Sequence, residues 1–185
     1  MFLAHGLCNI PAVIRQGPVV TIDTCVAASL HWQEPVTLLR INGERVDQFV
    51  ARFDPKVADL IPSWTEGALN VEELEIVIAT LELTLHKTTA NVPILVCPDD
   101  ADLFCTVIVA EVSFEPEADV VGLQLNLLTS EMPLPLSPDR WIDHIPDLKK
   151  LGEKLYVSAS DYERSTQTVL ERISKPLPSR ARPAW

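Results

Sequence analysis

Residues 20–32 alternate between apolar and polar or small side chains. Val20, Ile22, Val26, Ala28, Leu30 and Trp32 share one parity, and Thr21, Asp23, Cys25, Ala27, Ser29 and His31 share the other. Successive side chains of an extended chain point to opposite faces. A period of two over this length therefore predicts a strand with one dry face and one wetter face. The pattern returns in residues 106–115, where Ala110, Val112 and Phe114 oppose Glu111, Ser113 and Glu115. It returns again where Val121, Leu123, Leu125 and Leu127 alternate with Gly122, Gln124 and Asn126.

Other segments read as shorter pieces of the same kind. Val36–Ile41 is a candidate strand, and Asn42-Gly43 after it favours a type I′ hairpin turn, because both residues tolerate positive φ. The return strand is expected from Glu44. Residues 94–97 form a short apolar run closed by Pro98-Asp99-Asp100. In residues 74–87 the apolar parity changes, from Leu74, Ile76 and Ile78 to Leu81, Leu83 and Leu85. This predicts a strand with a bulge near Ala79, or one buried first on one face and then on the other. Val46, Phe49, Val50, Phe53, Val57, Leu60 and Ile61 have helical spacing instead. Asp54-Pro55 divides them into two short helical pieces, with Asp54 as cap and Pro55 in the first position of the second. The expected fold is mainly β or α+β. Its body is an antiparallel sandwich, barrel or jelly-roll-like unit of six to seven strands, with short helices, a C-terminal helix and an extended tail.

At 185 residues the chain is the size of one domain and can bury roughly 70% of its unfolded surface without a metal or disulfide. Its 15 prolines against 6 glycines imply rigid connections and disfavour glycine-rich phosphate loops. The expected organisation is an arm over residues 1–17, a β-rich domain over 18–130, a Pro-rich linker with short helices over 131–175, and a basic Pro-rich tail over 176–185. Within the third part, Ser137-Pro138 can start a short helix to about His144, and residues 146–155 form another. Ser160 with Glu163 reads as a capping box for a helix running through Ile173.

The formal charge of −11 disfavours nonspecific binding to nucleic acid or to an anionic membrane, since both require a positive field. Four cations, Arg172, Lys175, Arg180 and Arg182, stand against one acid in residues 171–185, leaving the rest at −14. Such a tail is either solvated or able to dock on the acidic body of a neighbouring copy. Cys8, Cys25, Cys97 and Cys105 form no C-x-x-C pair, which fits reduced, buried thiols in an intracellular setting. The first residues lack a cation before their apolar stretch, so no secretory signal peptide is expected, and no stretch reaches 18 apolar residues. The expected location is the cytoplasm, or a virion if the protein is viral.

Candidate chemistry is sparse. His5 and Cys8 are good zinc ligands, but Cys97 and Cys105 are eight apart and lack a nearby His. Asp99, Asp100 and Asp102 lack the glycine and closing Glu of a calcium loop. Asp139, Asp143, His144 and Asp147 cluster on or near a short helix, as carboxylates do both in hydrolytic metal sites and on plain solvated faces. His31 and His86 have no nucleophile beside them in sequence. The elbow, phosphate-loop, dinucleotide-turn and zinc-helix motifs are absent. No catalytic, cofactor or metal residue is expected. Interaction candidates are Trp185, a large apolar group of the kind favoured at interfaces, Arg180 and Arg182 beside it, and Trp141 and Pro135 in the linker. Pro135-Leu136-Ser137-Pro138 matches the spacing of an SH3 ligand and also that of an ordinary spacer.

Three functions fit. The first is a structural subunit of a larger assembly, such as a phage capsid, connector or tail component, with copies of itself or other assembly proteins as partners. The second is an acidic inhibitor or immunity-type protein that neutralises a basic partner such as a toxin nuclease. The third is an enzyme or small-ligand binder with a site inside the sheet, which requires a sizeable cavity.

Overall fold

The computed structural model describes residues 17–28, 35–99, 102–103, 105–129 and 148–174. Among these residues, nine strand segments form two antiparallel sheets. The smaller has the order β1 (Ile22–Ala27), β2 (Val36–Ile41), β3 (Glu44–Arg45). The larger has the order β4 (Ile61–Pro62), β5 (Ala90–Val96), β6 (Val107–Glu115), β7 (Val120–Leu128). Beyond β7 lie two short segments that share its outer edge, β8 (Lys149–Lys150) against Asn126 and Leu127, and β9 (Leu155–Ser158) against Val120 to Leu123. Among the described residues there are three helices: α1 (Val46–Ala51), α2 (Val71–Leu85) and α3 (Ala159–Ser174).

The opening alternation belongs to a segment that joins the two sheets. Val20 donates its amide to the Tyr156 carbonyl of β9 at 2.7 Å, and the Tyr156 amide donates to the Pro18 carbonyl at 2.9 Å, so residues 18–20 extend the large sheet in parallel. From Thr21 onward the same extended run turns its hydrogen bonds toward the small sheet. The Asn42 amide donates to the Thr21 carbonyl, and β1 pairs with β2 from Ile22↔Ile41 to Ala27↔Val36. The small sheet approaches the large one again at its other end. There the Trp64 indole Nε1, just after β4, donates to the Thr37 carbonyl of β2 at 2.7 Å. A side chain and not a strand ladder spans that junction, and the sheets do not close into a barrel.

The larger sheet is buried on both faces. On one face Val92, Ile94, Ile108, Ala110, Val112, Leu123 and Leu125 pack beneath Ile22 and Ile41 of the small sheet, Val77 and Leu81 of α2, and Tyr162 and Val169 of α3. On the other, Val107, Val109 and Leu128 meet Ile61, Ala68, Ile76 and Leu103. Each fully buried Val or Leu is worth roughly 1.5–3 kcal/mol. The β5–β6–β7 ladder is thus the most stable part. Among the described strands, the outer end of β1, where Val26 is 71% exposed, is the least anchored.

The mainly β, antiparallel reading holds, and so do several local details. Asn42 (φ 52°) and Gly43 (φ 79°) form the left-handed turn between β2 and β3. Asp54 caps a 3-10 turn at Pro55–Val57 by accepting the Lys56 amide, behind the short helix α1.

Four expectations are corrected. The predicted strand over residues 74–87 is the 15-residue helix α2. Its buried side includes Glu73, Thr80 and Thr84, polar residues that hide the helical period. The hydroxyls of Thr80 and Thr84 are satisfied inside the helix by the Val77 and Leu81 carbonyls. The single dry face expected across residues 20–32 covers Val20 and Ile22 but fails at Val26, where β1 passes beyond the core; residues 29–34 lie outside the described ones. The helix expected over 146–155 is replaced, in its described part, by β8, a turn at Gly152 (φ 71°) and the start of β9. The free edge of β7 supplies the pairing that overrides local preference there. The cap of the last helix is Ser158, whose Oγ accepts the Asp161 amide at 3.1 Å, and not Ser160. β9 pairs through Ser158↔Val120, and the helix starts on the next residue. The helix expected from Ser137, the tail over 176–185 and all of the arm over 1–17 except Gly17 lie outside the described residues.

Candidate interaction surface

α2 begins with a reciprocal cap. Asn70 Oδ1 accepts the Glu73 amide at 3.0 Å, and Glu73 Oε2 accepts the Asn70 amide at 3.3 Å. The second oxygen of Glu73 accepts the buried Leu103 amide at 3.0 Å, tying the segment after β5 to the start of the helix. Glu73 is therefore fixed, and α2 is held at a set angle against β5. Its other carboxylates face outward. Glu72, Glu75 and Glu82 are exposed and fall on one stripe, at the i, i+3, i+10 positions of a 3.6-residue period. The helix contains no Lys or Arg, and no cation pairs with these three among the described residues. Val71, 73% exposed, and the half-buried Leu74 and Ile78 flank the stripe.

Of the ten described lysines and arginines, five are held in ion pairs elsewhere in the fold. Arg40 forks onto Asp23, and Arg45 forks onto Asp47. Arg52 reaches Glu44, and Arg164 reaches Asp161. Lys149 Nζ lies 3.0 Å from Asp54 Oδ2. The Lys149 hydrogen bond, with the Lys56 amide, holds the Asp54 carboxyl below the usual carboxylate range. The Asp23 hydrogen bond raises Arg40 above the ordinary arginine value. Local pairing thus holds half of the described positive charge away from α2, while exposed His86 and Lys87 stand at the end of the helix. A second acidic group, Glu115, Glu117 and Asp119, sits at the β6–β7 turn.

The other candidates gain no shared geometry. Cys97 and Cys105 are half-buried in the connection that closes the β5–β6 ladder, where the Cys97 amide donates to the Thr106 carbonyl. Asp102 Oδ1 accepts the Cys105 amide, a local turn contact. His86 ends α2, exposed, with its amide bonded to the Glu82 and Leu83 carbonyls. Among the described residues, no three His, Cys, Asp or Glu side chains gather as metal ligands would. Trp185, Arg180, Arg182, Trp141, Pro135, His5, Cys8, His31, Asp100, Asp139, Asp143, His144 and Asp147 lie outside the described residues. No described helix is long and apolar enough to cross a membrane.

Between the sheets and helices α2 and α3 is an apolar cavity of about 30 Å³. That is room for one or two water-sized molecules, well short of a metabolite site. Polar groups on its wall are turned into the protein. Tyr162 donates to Thr84 Oγ1 at 2.8 Å, and burial pushes its phenol upward in pKa. Sequence reasoning missed Trp64, Glu73 and the Tyr162–Thr84 pair. Of these, only Glu73 had a sequence signal, its spacing from Asn70. Compared with known proteins, the chain matches no protein family, no curated protein and no solved structure.

Proposed function

We propose that the chain is a non-enzymatic binding protein of the acidic inhibitor or immunity type, whose negative surface engages a basic partner. The observation that carries this reading is the outer face of α2, with Glu72, Glu75 and Glu82 in one stripe and no ion pair to any of them among the described residues. A net charge of −11 adds a long-range field of the same sign. Complementary charge accelerates encounter and selects partners, and apolar side chains beside the charges add contact area once docked. The test is affinity capture from cells that encode the protein, followed by titration of the purified partner. The expected result is a one-to-one complex that weakens with salt and weakens further when Glu72, Glu75 and Glu82 become lysine. Salt-independent binding, unchanged in that variant, overturns the reading.

A second reading, a subunit of a larger assembly such as a virion, is favoured by one observation. Val19 and Val26 are 62% and 71% exposed on the run that forms the edge of the small sheet, and such edges invite pairing with another chain. Light scattering decides this reading. A defined oligomer supports it, and a monomer at all concentrations removes it.

A further inference from the structure

We propose that the cavity between the two sheets and helices α2 and α3 is a binding site for a compact apolar molecule, independent of the acidic face. Its walls come from every layer of the fold: Trp64 at the β2–β4 junction, Leu81 of α2, Ile94 and Ala110 of the large sheet, Leu123 of β7 and Val169 of α3. The polar atoms among the lining side chains are already engaged. Trp64 Nε1 donates to the Thr37 carbonyl, Tyr162 donates to Thr84, and Ser165 Oγ donates to the Ile22 carbonyl at 3.4 Å. A water entering this space would find too few partners to replace those it leaves, and apolar cavities of this kind stay dry. The lining atoms meanwhile lack dispersion partners on one side, so a polarisable guest of matching size gains contacts at no polar cost. The volume of about 30 Å³ limits the guest to a single large atom or a two-carbon molecule.

Xenon is the probe. Methyl-resolved NMR of the full chain under rising xenon pressure should show saturable shifts at Leu81, Ile94, Leu123 and Val169. Val19, Val26 and Val71, all exposed, should stay still. Ala110→Val fills the space and should abolish the response. If that variant does not fold, Val92→Ile, on the same wall, replaces it. Saturable shifts lost on filling support the site. The absence of saturable shifts at the lining methyls, equal shifts at exposed methyls, or an undiminished response in a folded filled variant overturns it.

Discussion

Replacing Glu73 by Ala tests how α2 is anchored. The side chain is only 4% exposed, and its two oxygens serve two amides, Leu103 at 3.0 Å and Asn70 at 3.3 Å. Asn70 is exposed, so its amide can turn to water and that loss is small. Leu103 is 1% exposed, and its amide is left without an acceptor. An orphaned buried donor costs about 1–3 kcal/mol, and losing half of the cap adds up to about 1 kcal/mol. Alanine's better helix propensity returns a few tenths. The expected destabilisation is about 2–3 kcal/mol, read as a lower urea midpoint at unchanged slope and a melting temperature lower by roughly 5–10 °C. Glu73→Gln keeps one carbonyl oxygen for Leu103 and should cost about half as much. If Glu73→Ala unfolds within about 0.5 kcal/mol of the parent, the Leu103 tie does not anchor the helix.

Trp64→Phe removes the donor to the Thr37 carbonyl at the junction between sheets and leaves a smaller ring, so it should cost about 2–3 kcal/mol in urea unfolding. Gly152→Ala should be at least about 1 kcal/mol worse than Gly43→Ala. Both glycines have positive φ, but a Cβ at Gly152 would sit 2.6 Å from the Phe53 ring, whereas one at Gly43 meets nothing. Asp54 titrates low because Lys149 and the Lys56 amide favour its charged form. A depressed folded-state value gives stability that is present above the ordinary carboxylate range and fades from about pH 4 downward. Asp54→Asn should therefore flatten the acid side of the stability profile, and NMR titration should find the Asp54 carboxyl below a model carboxylate.

The β-rich architecture was legible because its strands carry period-two patterns, and the Asn42-Gly43 turn and the Asp54-Pro55 cap declare themselves in local chemistry. Two-sided burial was not legible. In β7, Gly122, Gln124 and Asn126 read as a wet face, yet all are buried, with the amides bonded to the Leu125, Gly152 and Gln124 carbonyls. The helix α2 was masked by the same effect in reverse. Its buried side holds Glu73, Thr80 and Thr84 while Val71 is exposed and Leu74 and Ile78 are only half-buried, so hydropathy followed the wrong period. Its cap, Asn70 three residues before Glu73, was the overlooked signal. β8 and β9 were invisible because their pairing depends on the distant edge of β7. The acidic stripe needed the helix first, since Glu72, Glu75 and Glu82 share a face only at a period of 3.6.

The most direct test of the proposed function is the affinity of the captured partner for the wild-type chain and for the Glu72→Lys, Glu75→Lys, Glu82→Lys variant, each at low and high salt. The account predicts a wild-type affinity that falls with salt, and a folded variant at least about tenfold weaker whose salt dependence is reduced. Equal affinities with equal salt dependence would contradict it and remove the α2 face as the contact.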